Sequence, residues 1–240
     1  VKGDYHVFGR VMVKHIGKTL RTYKASAKML LASEARRCRY IADAKNVPLG
    51  ERLSYVGLRL LYHLSGIFLK KPVWVFSDKE WEAGDNAENV FRYAVKESGF
   101  RDAKMVYALK KSSPDYGRVK AYGTVVDPDS FRYKLLFLRC GVMISSRVEG
   151  SVVNPYGARL AFVKDLEHFR LVYLTHGTLF GDLTGILGKP VSGISLFSVS
   201  TEMERRALVG DDYGYDEDDV ALLGMARYDA FENAKPQRKI

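Results

Sequence analysis

The clearest structural signal lies between Val73 and Leu109, where the sequence reads VWVFSDKEWEAGDNAENVFRYAVKESGFRDAKMVYAL. The run 73–76 is short and wholly apolar, which is typical of a strand buried on both faces. The stretch 85–88, Asp-Asn-Ala-Glu, resembles a capping box and opens a helix that continues to about Gly99. A second apolar run, 104–109, predicts another strand. Strand, helix and strand in this order predict a parallel pair joined by a crossover helix.

The same alternation continues after Leu109. Further strands are predicted at 119–126, 142–145, 171–174, 194–199 and 220–223, with helices at 127–139 and 201–208. This order predicts an α/β fold with a Rossmann-like, doubly wound parallel sheet. Such sheets bind ligands beyond the carboxyl ends of their strands. The candidate functional loops therefore start at Ser77, Ser145, Thr175 and Gly224.

Positive charge is concentrated before this region. The chain has 240 residues and a net charge of +10; residues 1–71 carry fifteen Lys or Arg and four Asp or Glu, whereas residues 72–240 carry 23 and 24. We therefore predict two parts, a basic helical region at 1–71 and the sheet domain at 72–240. An excess of one sign in one region indicates an anionic partner for that region.

Two amphipathic helices are predicted in the basic region, at 18–45 and 52–71. The second is mostly apolar with a narrow polar stripe, which would suit a helix lying in the headgroup plane of an anionic membrane. The candidate membrane-binding residues are Arg52, Arg59, Lys70 and Lys71. Packing of this helix against its own domain remains an alternative. Nucleic acid ranks below both because no helix-turn-helix, RNA-recognition or zinc-finger signature is present.

Several classes are disfavoured by composition and motifs. Two cysteines, Cys38 and Cys140, are too few for a disulfide framework and suit a reducing compartment. No apolar run is long enough to cross a membrane, and no signal peptide is evident. The chain lacks Gly-x-Gly-x-x-Gly and P-loop motifs, so neither a simple dinucleotide site nor a P-loop is supported.

Thr175-His176-Gly177-Thr178 is the best chemical candidate among the loops. Histidine titrates near neutrality and can act as a general base. Gly177 would permit a tight turn and a close approach of phosphate to backbone N–H groups. A lone histidine is, however, more often structural than catalytic. Arg147 and Arg227 also follow strands and could bind phosphate, or could simply be surface charges. The acidic run 211–219 suits a solvated loop or helix start better than a metal site.

Several strings, taken in order, resemble one family. They are Ser77-Asp78, 83–88, Phe91-Arg92-Tyr93, Ile144-Ser145-Ser146, 153–157, 174–178, 200–204 and 224–229. This series, which covers residues 72–232, resembles the CDP-glycerol glycerophosphotransferase family of teichoic-acid and related cell-wall polymer synthesis. No single string is decisive, but their order is fairly specific.

The resemblance implies a peripheral membrane transferase with a two-lobed GT-B fold. Residues 72–240 would form the acceptor-side lobe, and the donor-binding lobe would be absent from this chain. His176 would deprotonate a hydroxyl of a lipid-linked acceptor, which would attack CDP-glycerol and release CMP at the cytoplasmic face of the membrane. No metal, further cofactor or nucleic acid is implied. The implied substrate-binding residues are Asp85, Asn86, Ser146, Arg147, Gly177, Thr178, Arg227 and Asp229.

This sequence departs from the family pattern at two positions and in length. Ala226 stands where the family has Pro before the arginine, and Leu179 stands where many relatives have Pro after His-Gly-Thr. Because the chain stops near the start of the expected second lobe and begins with Val1, we expect it to be a fragment. Two alternatives remain open at this stage, a membrane-binding module without catalysis and a GT-B glycosyltransferase that uses a nucleotide sugar.

Overall fold

The chain forms two compact units in the computed structural model, which describes residues 27–96, 100–210 and 212–229. Contacts between Cα atoms divide the chain after Leu58. The boundary predicted from the sequence lies after Lys71 instead. The difference arises because helix α2 (Leu49–Phe68) runs through residue 58 without a break, and its C-terminal half belongs to the second unit.

The first unit contains α1 (Ala27–Ala42) and the N-terminal part of α2. Its buried apolar side chains are Ile41, Val47, Tyr55 and Leu58. The guanidinium of Arg52 donates to the carbonyl of Ala42 and so closes the turn between the helices. The helix predicted over 18–45 is described from Ala27 onward, and residues 18–26 lie outside the described residues.

The C-terminal half of α2 is fixed to the second unit by arginine contacts. Arg59 is fully buried, and its Nη2 lies 2.7 Å from Asp165 Oδ2 while its Nη1 donates to the carbonyl of Phe162 at 2.8 Å. The prediction that Arg59 binds a membrane is therefore wrong, because its charge is neutralised inside the protein. Leu60, Leu64, Ile67 and Phe68 remain exposed on this half. None of the helices within the described ranges is long and apolar enough to cross a bilayer.

The second unit is built on a sheet of seven strands within the described residues, all parallel. In chain order they are β1 (Val73–Ser77), β2 (Lys104–Ala108), β3 (Val125–Val126), β4 (Cys140–Ser145), β5 (Arg170–Leu174), β6 (Ile194–Val199) and β7 (Val220–Leu222). Their order across the sheet is β3-β2-β1-β4-β5-β6-β7. Strand β1 is buried along its whole length, as expected for a strand covered on both faces. The predicted α/β, Rossmann-like fold is confirmed.

Helices connect most of the strands. They are α3 (Asn86–Lys96), α4 (Tyr116–Lys120), α5 (Phe131–Leu138), α6 (Thr184–Leu187), α7 (Lys189–Ser192) and α8 (Glu202–Leu208). The predicted strand at 119–126 is wrong in its first half. Val119 is a buried residue of helix α4. Within the predicted run, Val125 and Val126 alone pair with β2, at the edge of the sheet. An apolar run interrupted by Gly123 was too ambiguous to assign from periodicity alone.

The strand order reverses between β1 and β4. The chain moves from β1 outward to β3, then returns to the other side of β1 and continues outward to β7. The loops after β1 and β4 therefore diverge to opposite sides and leave a crevice between them, which is where parallel sheets of this kind bind ligands. Because β5 is next to β4, the loop that contains His176 borders the same crevice.

Candidate active site

The carboxylate of Asp78 holds the two sides of this crevice together. Asp78 follows β1 directly and is only 4% exposed. Its Oδ1 accepts hydrogen bonds from Ser146 Oγ and the Ala87 N–H, each at 2.8 Å, and its Oδ2 accepts from Tyr107 Oη at 2.9 Å and the Asp85 N–H at 3.0 Å. Burial raises the pKa of this carboxyl, although the hydrogen bonds oppose the shift. Asp78 thus fixes the start of α3 against β2 and β4.

His176 lies in the loop that follows β5, and its ring is held by two partners. The hydroxyl oxygen of Tyr173 is 3.2 Å from Nδ1, and the imidazole also has a hydrogen bond with the backbone of Ser146. Tyr173 is buried, and burial raises its pKa to about 12, so its hydroxyl stays protonated near neutral pH. These contacts set the orientation of the ring at the exit of the strand.

The electrostatic surroundings keep His176 neutral. Its pKa is lowered from the ordinary value near 6.5, first by partial burial and then by the positive charge of Arg147. Arg227 acts in the same direction more weakly, while Asp85 and the Ser146 backbone oppose it. A histidine whose pKa lies below 6.5 is largely unprotonated at pH 7, which is the state a general base requires.

Arg147 is half-buried beside this histidine. Its backbone N–H donates to Ser145 Oγ at 3.0 Å, and its charge lowers the pKa values of both His176 and Tyr173. In the part of the chain that the structure describes, no carboxylate forms an ion pair with its guanidinium. A cation without a carboxylate partner next to a neutral imidazole favours an anionic ligand, such as a phosphate.

Arg227 and Asp85 form an ion pair on the other side of the crevice. Arg227 lies in the turn Ala226–Tyr228 after β7, and its Nη1 is 2.7 Å from Asp85 Oδ1. Both side chains are partly exposed. An anion that enters the crevice can therefore reach Arg227 only in competition with a carboxylate, which distinguishes this arginine from Arg147.

The side chain of Asn86 lies in the interior rather than in the crevice. It is 1% exposed. Its Nδ2 donates to the carbonyl of Thr175 at 2.7 Å, and its Oδ1 accepts from the N–H of Arg227 at 3.0 Å. Ser146 is buried in the same way, with its hydroxyl bound to Asp78. The side chains of these two substrate-binding candidates are therefore occupied by protein partners inside the fold.

Gly177 and Thr178 continue the loop after His176. A Cβ on Gly177 would meet nothing within 4 Å, and its φ is not positive, so the backbone conformation here does not itself require glycine. The open space instead leaves the backbone accessible. Beyond Thr178, the buried Glu204 accepts from the N–H groups of Leu179 and Ser200, each at 3.0 Å, and ties the loop to the start of α8.

The remaining candidates lie outside this cluster. Asp229 is exposed just after the turn 226–228, and Lys70 and Lys71 are exposed just after α2. Lys71 Nζ donates to the carbonyl of Arg101 at 2.7 Å. Among the described residues, no group of three or more His, Cys, Asp or Glu is placed to hold a metal ion. The acidic run instead supplies Asp219, which pairs with Lys189 at 2.5 Å.

Three residues of the site were given no role from the sequence. Asp78 immediately follows a predicted strand and precedes a predicted helix, and Asp is a preferred residue for capping helix N-termini, which was a usable signal. Glu204 stands three residues after Thr201 and completes a capping box, a pattern that can be read directly. Tyr173 is one of several aromatic residues in strands, and nothing in its local sequence indicates contact with His176.

Comparison with known proteins agrees with the resemblance noted in the sequence. The sequence profile described as CDP-glycerol:poly(glycerophosphate) glycerophosphotransferase matches residues 59–240. The minor teichoic acid biosynthesis protein GgaB of Bacillus subtilis (strain 168) is 35% identical over 182 residues, which are 76% of this chain and 20% of GgaB. The chain thus spans about a fifth of the length of that relative. No solved structure gives a significant match. The chain belongs to the CDP-glycerol:poly(glycerophosphate) glycerophosphotransferase family.

Proposed function

We propose that this chain supplies the acceptor-side lobe of a GT-B transferase that moves glycerol phosphate from CDP-glycerol to a hydroxyl of a lipid-linked acceptor in teichoic-acid synthesis. The observation that carries the proposal is the neutral imidazole of His176 at the exit of β5, with the guanidinium of Arg147 close enough to lower its pKa. Family membership supports the donor class, and the crevice between β1 and β4 supports the location.

His176 acts as the general base in the proposed reaction. A ring nitrogen takes the proton from the acceptor hydroxyl, and the hydroxyl oxygen attacks the glycerol-bearing phosphorus. A phosphorus–oxygen bond to the acceptor forms while the anhydride bond to CMP breaks, so CMP leaves with the electron pair. Tyr173 and the Ser146 backbone keep the ring oriented throughout.

Arg147 provides the positive charge for this step. Phosphoryl transfer is accelerated mainly by positioning and by stabilising negative charge, and a guanidinium can bind two phosphate oxygens at once. Arg227 is a second candidate for phosphate contact, if an incoming anion displaces Asp85. The open backbone at Gly177 allows phosphate to approach closely. The proposal requires no metal or organic cofactor, and a donor-binding lobe outside this chain would hold the cytidine.

The exposed side of α2 supports a peripheral position at the cytoplasmic face of the membrane. Leu60, Leu64 and Ile67 are spaced four and three residues apart, so they share one helical face, and each is more than half exposed. Lys70 and Lys71 follow the helix and can attract anionic lipid. With Arg59 and Arg139 tying this half to the sheet unit, the apolar face is presented without further folding.

The decisive experiment compares His176→Ala with wild type in the full protein that carries this chain, measuring CMP released from CDP-glycerol. We expect a loss of ~10²–10⁴-fold, the usual effect of removing a general base. His168→Ala is the matched control, because His168 is exposed in the connection before β5 and should leave the rate unchanged.

Two outcomes would contradict the proposal. Equal rates for His176→Ala and wild type would exclude His176 as the base. Turnover of a nucleotide sugar, with none of CDP-glycerol, would keep the base but replace the donor and favour the glycosyltransferase alternative.

A further inference from the structure

We propose that Asn86 is a positioning residue that holds the His176 loop and the Arg227 turn in one fixed arrangement across the crevice. The inference rests on the proposed function, since it takes His176 as the base. It assigns to Asn86 a role in the geometry of the site instead of contact with substrate.

The contacts of Asn86 join three separate segments of the chain. The amide sits at the start of α3, and its Nδ2 donates at 2.7 Å to the carbonyl of Thr175, the residue that immediately precedes His176. Its Oδ1 accepts at 3.0 Å from the backbone N–H of Arg227. These partners are 89 and 141 residues away in sequence, so one side chain links the loops after β1, β5 and β7.

Asn86 is itself held firmly. Its backbone N–H donates to Asp85 Oδ1 at 2.9 Å, the same oxygen that pairs with Arg227. The next residue, Ala87, donates to the buried carboxylate of Asp78. The side chain of Asn86 therefore has a fixed position relative to the edge of the sheet. Both loops that bind it are held at that position.

The amide of Asn86 meets both hydrogen-bonding requirements of this position. One end of the side chain must donate to a carbonyl while the other accepts from an N–H, both at a buried site. An aspartate at 86 has the same shape but offers no donor to the Thr175 carbonyl. A buried polar group that loses its partner is strongly disfavoured, so the loop would have to move.

The test compares Asn86→Asp with Asn89→Asp in the full protein. Asn89 lies one turn further along α3, contacts neither Thr175 nor Arg227, and receives the same change in charge. We expect Asn86→Asp to lower kcat by ~10–100-fold, the effect of losing one buried hydrogen bond. The KM for CDP-glycerol should change by less than about 3-fold, and Asn89→Asp should stay within about 2-fold of wild type. A rise in KM with kcat unchanged, or equal losses in both variants, would overturn the positioning role.

A measurement on the wild-type full protein, with its donor-binding part, guards against a variant that fails to fold. In ¹⁵N-labelled protein, the side-chain amide protons of Asn86 should exchange with water far more slowly than those of the exposed Asn46. They should also keep their chemical shifts when CDP-glycerol is added. Equal exchange rates, or a direct response to the donor, would refute the assignment.

The two proposals fail in different ways. If His176→Ala retains full CMP release, the base assignment is wrong whatever Asn86 does. If His176→Ala is inactive while Asn86→Asp behaves like Asn89→Asp, only the positioning role is wrong.

Discussion

Two arginines of the sheet unit, Arg59 and Arg147, carry the same charge but differ in burial and in ion pairing. Arg59 is fully buried against Asp165 and the Phe162 carbonyl, on the C-terminal half of α2. Arg147 is half-buried after β4, with no ion pair among the described residues, and its field lowers the pKa of His176. The charge of Arg59 is neutralised by Asp165 and holds a helix to the sheet unit, whereas the charge of Arg147 is available to a ligand.

The difference shows that the local density of positive charge in a sequence does not identify the arginines that bind anions. Arg59 lies in the basic region, and the sequence predicts it at a membrane surface. Arg147 lies outside that region, and its simplest interpretation from the sequence is a surface charge. What separates them is whether a carboxylate from a distant segment reaches the guanidinium. Asp165 is 106 residues from Arg59, and no pattern in the sequence connects the two.

The largest expected effect is on stability, when each arginine is replaced by methionine. Arg59→Met removes the buried guanidinium that pairs with the Asp165 carboxylate, which is 25% exposed, and should lower the free energy of unfolding by about 2–3 kcal/mol. Arg147→Met should change it by less than about 1 kcal/mol. Urea unfolding followed by the fluorescence of the buried Trp74 measures both.

A third variant sharpens this comparison. Arg59→Met combined with Asp165→Leu removes both charges, and it should recover most of the lost stability, because an apolar pair often replaces a buried ion pair at little cost. If the double variant is no more stable than Arg59→Met alone, the ion pair is not the reason that Arg59 matters.

An intermediate effect is expected at the lysines that follow α2. Lys70 and Lys71 are exposed, in contrast to Arg59 within α2. At about 1 kcal/mol per basic residue near an anionic surface, Lys70→Gln with Lys71→Gln should weaken binding to phosphatidylserine-containing vesicles by roughly 10–30-fold. Flotation with and without the anionic lipid measures this.

The control for the lysine pair removes the same charge elsewhere. Lys111→Gln with Lys120→Gln changes two exposed lysines elsewhere in the sheet unit, one in the loop after β2 and one at the end of α4. Their loss should have a much smaller effect if the end of α2 is the docking surface. Equal weakening by both pairs would indicate attraction to net charge alone, and insensitivity to anionic lipid would contradict docking altogether.

The fold was largely predictable, whereas the contacts within the site were not. Buried parallel strands such as 73–77 and 194–199 are recognisable in the sequence as apolar runs. Because ligands bind at the carboxyl ends of such strands, the sequence also predicts the edge of the sheet at which His176 and Arg147 lie. The structure adds pairings between distant segments. The sequence predicts that Asn86 lines the crevice and binds substrate. In the structure its amide is bound instead to the carbonyl of Thr175 and the N–H of Arg227. The periodicity of apolar residues shows which face of a helix or strand is buried. It does not show which buried polar groups form hydrogen bonds with each other.

The smallest effect, and the most specific, concerns the titration of His176. Arg147→Gln removes the charge that, after burial, contributes most to lowering the pKa, so the pKa should rise and the acid limb of the activity profile should move to higher pH. Asp85→Asn removes an opposing negative charge and also leaves Arg227 without its counter-ion, so both consequences lower the pKa further. Imidazole ¹³C shifts followed against pH in each variant report the direction. Added salt should shrink both changes, because the crevice is partly open to solvent. If neither variant shifts the pKa of His176, that pKa is set by burial alone, and if Arg147→Gln fails to raise it, the proposed role of the Arg147 charge is wrong.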